Sequence, residues 1–403
     1  MQVVHKYCSG LDVHKDSVVA CIVTPERSQT RTFGTMYGDL LGLADWLKEH
    51  GITHVAMEST GVYWKPVYNL LEGEFEVMVV NAHHIKTVPG RKTDVKDAEW
   101  IADLLRHGLV RASFIPDKEH RELRELVRYR RRVIQDRAQV VNRIQKVLEG
   151  ANIKLGSVAR NVVGKSGRDM IQAMIDGQQD PTVLADYARG KLKSKNTELR
   201  KALKGGIGRH QRFMLDSQLR MLDFMEAEIA RLDEEVATRF TPFEGMIQRL
   251  DKIPGIAVRG AQDILAETGT DMSQFPSAKH FASWAKVSPG NNESAGKRRS
   301  GRTGRGNPWL KAALTEAAQG AAHTKNTYLS AQYRRLAGRR GKNRAAIAVA
   351  HSILTVIYEM LSNGTSYEDL GGNYFDQRDS TKVVNRAIQR IERLGYKVSI
   401  QAA

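Results

Sequence analysis

The 403-residue sequence predicts an α/β domain with a mixed sheet, followed by a mainly helical remainder. In the first hundred residues, short apolar segments alternate with helical patterns, as expected of a sheet covered by helices. Two later stretches carry apolar residues at spacings of three, four or seven, which is typical of long helices. The net charge of +17 belongs to this later part, because residues 1–110 are slightly acidic.

Composition narrows the classes of function. A chain with a pI of about 9.8 is expected to bind a polyphosphate partner such as DNA or RNA. There is no run of eighteen apolar residues and no apolar segment at the N-terminus, so we expect neither a membrane span nor a signal peptide. The two cysteines, Cys8 and Cys21, give no disulfide framework or zinc-ligand spacing. These features predict a cytoplasmic protein.

Changes of pattern along the chain predict four regions. They are an α/β domain (1–116), a basic helical and coiled-coil region (117–242), a mainly helical domain with a serine in a basic loop (243–345) and a helical tail (346–403). Chemistry is expected in the first and third regions, and none is visible in the tail.

The first region is predicted to be a meander followed by alternating strands and helices. Two strands within residues 7–24 surround a tight turn, and residues 31–35 add a third. Strands and helices then alternate, at about 39–50 (helix), 54–57 (strand), 63–71 (helix) and 76–81 (strand). A meander joined to such units gives a mixed sheet.

Four acidic residues stand where this topology would gather them. Asp12 interrupts the first apolar strand and Glu58 ends a later one, whereas Asp94 and Asp97 share one face of a helix by their spacing. Sites in α/β sheets collect at the carboxyl ends of strands, so we expect one carboxylate cluster that binds hard divalent cations for phosphoryl transfer. Taken singly, each acid also fits an ordinary role as a turn residue or a helix cap.

Residues 117–150 predict a long helix with an apolar seam and a basic exterior. A second seam runs from Leu215 to Val236, and the two seams could pack within one chain or across a dimer. The excess of arginine over acid favours contact with nucleic acid over a merely solvated surface. The candidate contacts are Arg128, Arg130, Arg131 and Arg132.

The third region contains two informative stretches. Residues 250–256, with a helix expected over 257–267, resemble the hairpin of a helix-hairpin-helix module, whose backbone N–H groups hold a DNA phosphate. Residues 287–307 are rich in glycine and cations, among which the Ser294 hydroxyl could attack phosphorus. The alternative is a basic loop in which Ser294 only donates a hydrogen bond to phosphate. The candidate nucleic-acid contacts of this loop are Lys297, Arg298, Arg299, Arg302 and Arg305.

Several blocks of the sequence resemble DEDD-type insertion-sequence transposases. This is the insertion-sequence one-hundred-ten family, whose relatives include the Piv and MooV DNA invertases. The N-terminal blocks are residues 10–15 (GLDVHK), 57–64 (MESTGVYW) and 92–98 (KTDVKDA). Residues 253–256 (IPGI) and 289–296 (PGNNESAG) resemble the C-terminal block of the family, and the resemblance extends over residues 8–345.

The resemblance implies a RuvC-like, ribonuclease-H-type fold in which Asp12, Glu58, Asp94 and Asp97 are the catalytic tetrad, which binds Mg²⁺ or Mn²⁺. It implies that Ser294 attacks the DNA backbone and holds it as a phosphoserine. It also implies a homo-oligomer, a dimer or tetramer, in which the acids of one subunit meet the serine of another. Members of the family are guided by a structured RNA from the non-coding end of the element, which pairs with donor and target DNA. The expected function is therefore RNA-guided, site-specific DNA recombination; the alternative is a metal-dependent RuvC-like nuclease or junction resolvase without a covalent serine intermediate.

Overall fold

The computed structural model describes residues 2–59, 61–80, 97–290, 292–294, 297–301, 303–304 and 306–400. The chain divides into two compact units, Met1–Asp117 and Lys118–Ala403. The division falls one residue after the predicted end of the α/β domain. The three predicted regions within the second unit remain a prediction.

The first unit is built on a five-stranded mixed sheet in the order β3-β2-β1-β4-β5. Three strands form an antiparallel meander, and β4 and β5 extend it in parallel from β1. The mixed sheet predicted from the sequence is confirmed. The elements are β1 (Cys8–Val13), β2 (Ser17–Val23), β3 (Ser28–Gly34), α1 (Tyr37–Glu49), β4 (His54–Glu58), α2 (Trp64–Leu71), β5 (Glu76–Val80) and α3 (Asp97–Arg106).

The two faces of this sheet carry separate cores because alternate strand residues point to opposite sides. Leu11 and Val13 of β1 join the core under α1 and α2. Cys8 lies on the other face, in the core formed with α3. The α3 backbone passes so close to Gly10 that an added Cβ would lie 2.3 Å from both the Ala98 oxygen and the Ala102 nitrogen. A side chain at this position would therefore push the helix off the sheet.

The second unit is organised around a long antiparallel helix pair, α4 and α9, so the two predicted seams pack within one chain. Short helices α5 to α8 close one end of the pair and share a core with the two long helices. The elements are α4 (Lys118–Gly150), α5 (Leu155–Val158), α6 (Lys165–Ile175), α7 (Pro181–Asp186), α8 (Asn196–Ala202), α9 (Arg209–Arg239), α10 (Glu244–Leu250), α11 (Val258–Thr268), α12 (Ala278–Trp284), β6 (Asn292–Ser294), β7 (Lys297–Ser300), α13 (Pro308–His323), α14 (Tyr328–Arg340), α15 (Lys342–Asn363), α16 (Tyr374–Arg378) and α17 (Ser380–Glu392), with 3₁₀ turns at Gly190–Lys195 and Thr241–Phe243.

Helix α15 is the one helix within the described part of the chain that is long and apolar enough to cross a membrane. In the structure, 44% of its most apolar window is buried inside the protein. One face, including Val349 and Ile353, is fully buried, and the helix packs against α12, α13 and α14. These contacts are those of a core helix.

Candidate active site

Asp12 and Glu58 stand side by side at the carboxyl ends of two parallel strands. Leu11 of β1 is paired with Met57 of β4, so Asp12 and Glu58 are the next residues on strands about 4.8 Å apart. Both lie on the α3 face, since each follows by two positions a residue that faces α3, Gly10 or Ala56. The sheet thus presents two carboxylates to the same side.

The N-terminal end of α3 lies at this same end of the sheet. The Cys8 thiol contacts the Ala102 carbonyl, and Gly10 faces Ala98, so the helix runs antiparallel to β1. Asp97 occupies its first turn and is exposed. The structure therefore places three of the four predicted acids, Asp12, Glu58 and Asp97, at the same end of one face of the sheet. Asp94 lies outside the described residues.

The acids present hard oxygen ligands, which suit Mg²⁺ or Mn²⁺ in kind. Among the residues that the structure describes, no three His, Cys, Asp or Glu side chains stand close enough to form a metal site. Asp12 is instead paired with His14, whose Nε2 lies 3.1 Å from the Asp12 Oδ2. The set suits a divalent cation in its chemistry, and its fourth member falls within 81–96, which the structure does not describe.

Ser294 ends the first strand of a two-stranded antiparallel hairpin. The backbone pairs Ser294 with Lys297, and Glu293 with Arg298. Arg299 lies in the second strand, whereas Arg302 and Arg305 fall outside the described residues. The predicted serine and three predicted cations therefore share one hairpin, at the level of its backbone.

The arginines predicted to bind nucleic acid on α4 divide into two groups. Arg130 is 2% exposed and donates to Gln262 and Asp263, both at 2.7 Å. Arg131 is also buried and donates to Asp263 and Glu316. We therefore interpret Arg130 and Arg131 as structural ion-pair residues rather than as contacts to DNA or RNA.

Arg128 is also engaged inside the protein, but Arg132 is exposed. Arg128 donates through Nε and Nη2 to the carboxylate of Glu267, at 2.7 and 2.8 Å. Arg132 points to solvent on the same helix. Of the four predicted contacts on α4, Arg132 is the one whose surroundings suit a phosphate ligand, and that role remains a proposal.

The predicted helix-hairpin-helix element corresponds to α10, a turn and α11. Gly255 in this turn has a φ of +89°, and its added Cβ would lie 2.1 Å from the Ala317 oxygen. The glycine is therefore required by close packing on α13. The phosphate-binding role of the turn remains a prediction.

Sequence reasoning missed Glu267 and Asn307, which the structure joins by a hydrogen bond. Glu267 interrupts an apolar helical pattern, the same signal that singled out Asp12 in its strand. Asn307 precedes Pro308, which is a common way for a helix to begin. Both signals are local, whereas the contact between the two residues is not.

Comparison with known proteins supports the resemblance seen in the sequence. A family model for DEDD transposases of the IS110 type matches residues 9–153, and the model of the transposase IS116/IS110/IS902 family matches residues 247–334. The chain belongs to the IS110 family of transposases. The matched segments together cover more than half of this transposase, including both the acids and the serine hairpin.

Two curated relatives of this IS110 transposase are similar over most of its length. One, from Pseudomonas aeruginosa, is named "Probable family 20 transposase" and is 26% identical over 89% of this chain and 94% of its own. Another, from Coxiella burnetii, is named "Transposase for insertion sequence element IS1111A" and is 23% identical over 72% of each chain. As a transposase, the protein cuts and rejoins DNA, and the order of its sheet is compatible with a ribonuclease-H-like domain.

Proposed function

We propose that this transposase cuts and rejoins DNA with Asp12, Glu58, Asp94 and Asp97 as a metal-binding site and with the Ser294 hydroxyl as nucleophile. The observation that carries the proposal is the adjacency of Asp12 and Glu58 on the sheet face where α3 begins with Asp97. Asp12 and Glu58 are half-buried, and carboxylates this close repel each other, which a cation between them would relieve. Bound there, Mg²⁺ or Mn²⁺ would neutralise phosphate charge and polarise the P–O bonds.

The serine step conserves the energy of the phosphodiester bond in a phosphoserine ester. The Ser294 oxygen attacks the phosphorus and loses its proton, while the bond from phosphorus to the leaving sugar oxygen breaks and that oxygen takes up a proton. The hydroxyl of a second strand then attacks the phosphoserine, which joins the strands and returns the proton to Ser294. No water is consumed, so cutting and rejoining need no external energy source.

We further propose that the basic second unit binds the guide RNA as well as DNA, and that the protein acts as a dimer or tetramer. The positive charge of the chain after residue 110 supports a polyanionic partner. Lys297, Arg298, Arg299, Arg302 and Arg305 flank the serine along the chain and would neutralise the phosphate that it attacks.

Trapping the covalent link tests the proposal. The full chain, purified with its co-purifying nucleic acid, is incubated with a supercoiled plasmid that carries the native flanks of its coding sequence, and complexes resistant to SDS are counted. We expect a protein–DNA adduct that Ser294→Ala and EDTA each abolish, whereas Ser300→Ala in the same hairpin retains it. Cutting by Ser294→Ala at the wild-type rate without any adduct would instead identify a metal-dependent nuclease.

A further inference from the structure

The carboxylate of Glu267 is held rigidly inside the second unit. It is 2% exposed and is the one acidic side chain in the described part of the chain that is almost fully buried. Arg128 donates two hydrogen bonds to it, and Arg124 donates to the main-chain oxygens of Ala266 and Glu267 at 3.1 and 2.9 Å. Because an unpaired buried charge costs several kcal/mol, these arginines hold Glu267 firmly on α4.

Asn307 links the Glu267 carboxylate to the start of α13. Its Nδ2 donates to the Glu267 Oε2 at 2.5 Å. Its Oδ1 accepts from the main-chain N–H groups of Trp309 and Leu310, at 3.0 and 3.2 Å, so the same side chain caps the helix. The Arg128 guanidinium lies over the Trp309 ring, 5.8 Å from its centroid. The first turn of α13 is thereby secured to both α4 and α11.

The segment that leads from the serine hairpin into α13 is held at the same place. Lys311 donates from Nζ to the Thr303 hydroxyl at 2.6 Å. The Lys286 side chain covers Gly304 and Gly306, where an added Cβ would lie 3.3 and 2.6 Å from its carbons. The described residues Thr303, Gly304 and Gly306 are therefore held by Lys286, just after α12, and by Lys311 of α13, immediately before Asn307.

We propose that Asn307 and Glu267 are positioning residues for the serine step. Their hydrogen bond fixes the point at which the segment after the β6–β7 hairpin enters α13, holding it to α11 and, through Arg128, to the long helix α4. This anchor, seven residues after β7 ends, sets where Ser294 stands. This inference rests on the proposed role of Ser294 as nucleophile. Attack on phosphorus requires alignment with the leaving oxygen, and a misplacement of about 1 Å can cost about a hundredfold in rate.

The test reverses the hydrogen bond between the two residues. Asn307→Asp retains an oxygen that caps α13 but places a carboxylate against Glu267. We expect its single-turnover rate of adduct formation on the plasmid to fall about tenfold or more at saturating DNA, with an unchanged dissociation constant for DNA. In the double variant Asn307→Asp/Glu267→Gln, the amide and carboxylate change places and the bond between residues 307 and 267 re-forms, although Arg128 loses one of its two acceptor oxygens. The rate should therefore recover in part.

A matched control separates positioning from stability. Thr327 caps α14 by accepting from the Ser330 N–H, and Thr327→Ala loses that cap at a cost of about 1 kcal/mol. We expect Thr327→Ala to leave the adduct rate unchanged. An Asn307→Asp variant as fast as the wild type, or a double variant no faster than Asn307→Asp, would overturn the inference.

Hydrogen exchange gives a second readout that does not depend on the serine chemistry. Asn307→Asp should speed exchange of the amides of residues 297–301, and the double variant should slow it again, with α9 unaffected. If the wild type forms no adduct, the proposed role of Ser294 as nucleophile is wrong. Hydrogen exchange then shows by itself whether the Asn307–Glu267 hydrogen bond holds the hairpin in place. Unchanged exchange at 297–301 in Asn307→Asp would refute the positioning role.

Discussion

At the scale of single residues, the candidate site depends on a glycine as well as on acids. Gly10 stands two positions before Asp12 on the same face of β1. Because it has no side chain, the backbone of α3 can lie directly on the strand, with Ala98 and Ala102 above it. This contact brings the first turn of α3, with Asp97, to the end of the sheet where Asp12 and Glu58 stand.

Gly10→Ala should lower the free energy of unfolding by about 1–3 kcal/mol, because the new methyl group would overlap backbone atoms of α3 that cannot move independently. Gly42→Ala is the matched control, since Gly42 is an exposed helical glycine with no neighbouring atoms within 4 Å of an added Cβ. It should raise stability by about 0.5–1 kcal/mol. Urea unfolding compares the two, and equal stability of Gly10→Ala and the wild type would contradict the packing described here.

At the scale of elements, helix α4 presents arginines of two kinds on one run of sequence. Arg130 and Arg131 bind Asp263 from one side, and Arg132, the next residue, faces solvent. Burial raises the pKa of the Asp263 carboxyl, and the two arginines oppose this by favouring its charged form. The inner face of the helix is thus held by ion pairs, while Arg132 is exposed to solvent.

Replacement of one arginine of each kind separates these roles. Arg130→Ala should lower the free energy of unfolding by about 3 kcal/mol, because it removes a donor from half-buried Asp263 and from buried Gln262. Arg132→Ala should change stability by less than about 0.5 kcal/mol but weaken DNA binding and reduce its salt dependence by about one charge. Urea unfolding and fluorescence anisotropy with a random duplex at several salt concentrations measure both effects. The division fails if Arg130→Ala is as stable as the wild type.

At the scale of the whole molecule, the acids and the serine belong to different compact units of the chain. The proposed chemistry needs both, and the family resemblance implies that they come from different subunits. A mixture of two defective proteins can therefore be complete where neither is alone.

Mixing Ser294→Ala with Asp12→Asn should restore adduct formation, because one protein supplies the acids and the other the serine. The control replaces Asp12→Asn by the double variant Ser294→Ala/Asp12→Asn, which contributes no serine and should restore nothing. Adducts are counted on the same plasmid after the proteins are mixed and allowed to exchange subunits. Failure of a mixture that demonstrably forms mixed oligomers would exclude a site shared between subunits.

The parts of the molecule that could be predicted from the sequence are those that depend on the local pattern of apolar residues. Short apolar segments predicted the five strands, and the spacing of apolar residues in the two seams predicted α4 and α9. Burial of Arg130 beside exposed Arg132 could not be foreseen, because both fit a basic helix and only the partners from α11 distinguish them. The hydrogen bonds from Arg128 to Glu267 join residues 139 positions apart, and no local signal encodes such a contact.

Cation binding tests most directly the proposal that Asp12, Glu58, Asp94 and Asp97 form a metal-binding site. Titration of the full chain with Mn²⁺, followed by electron paramagnetic resonance, counts bound ions without any need for DNA or activity. We expect binding that Asp12→Asn/Glu58→Gln abolishes and that Asp39→Asn/Asp45→Asn, two acids of α1, leaves intact. Equal Mn²⁺ binding by the wild type and Asp12→Asn/Glu58→Gln would contradict a metal site formed by these acids.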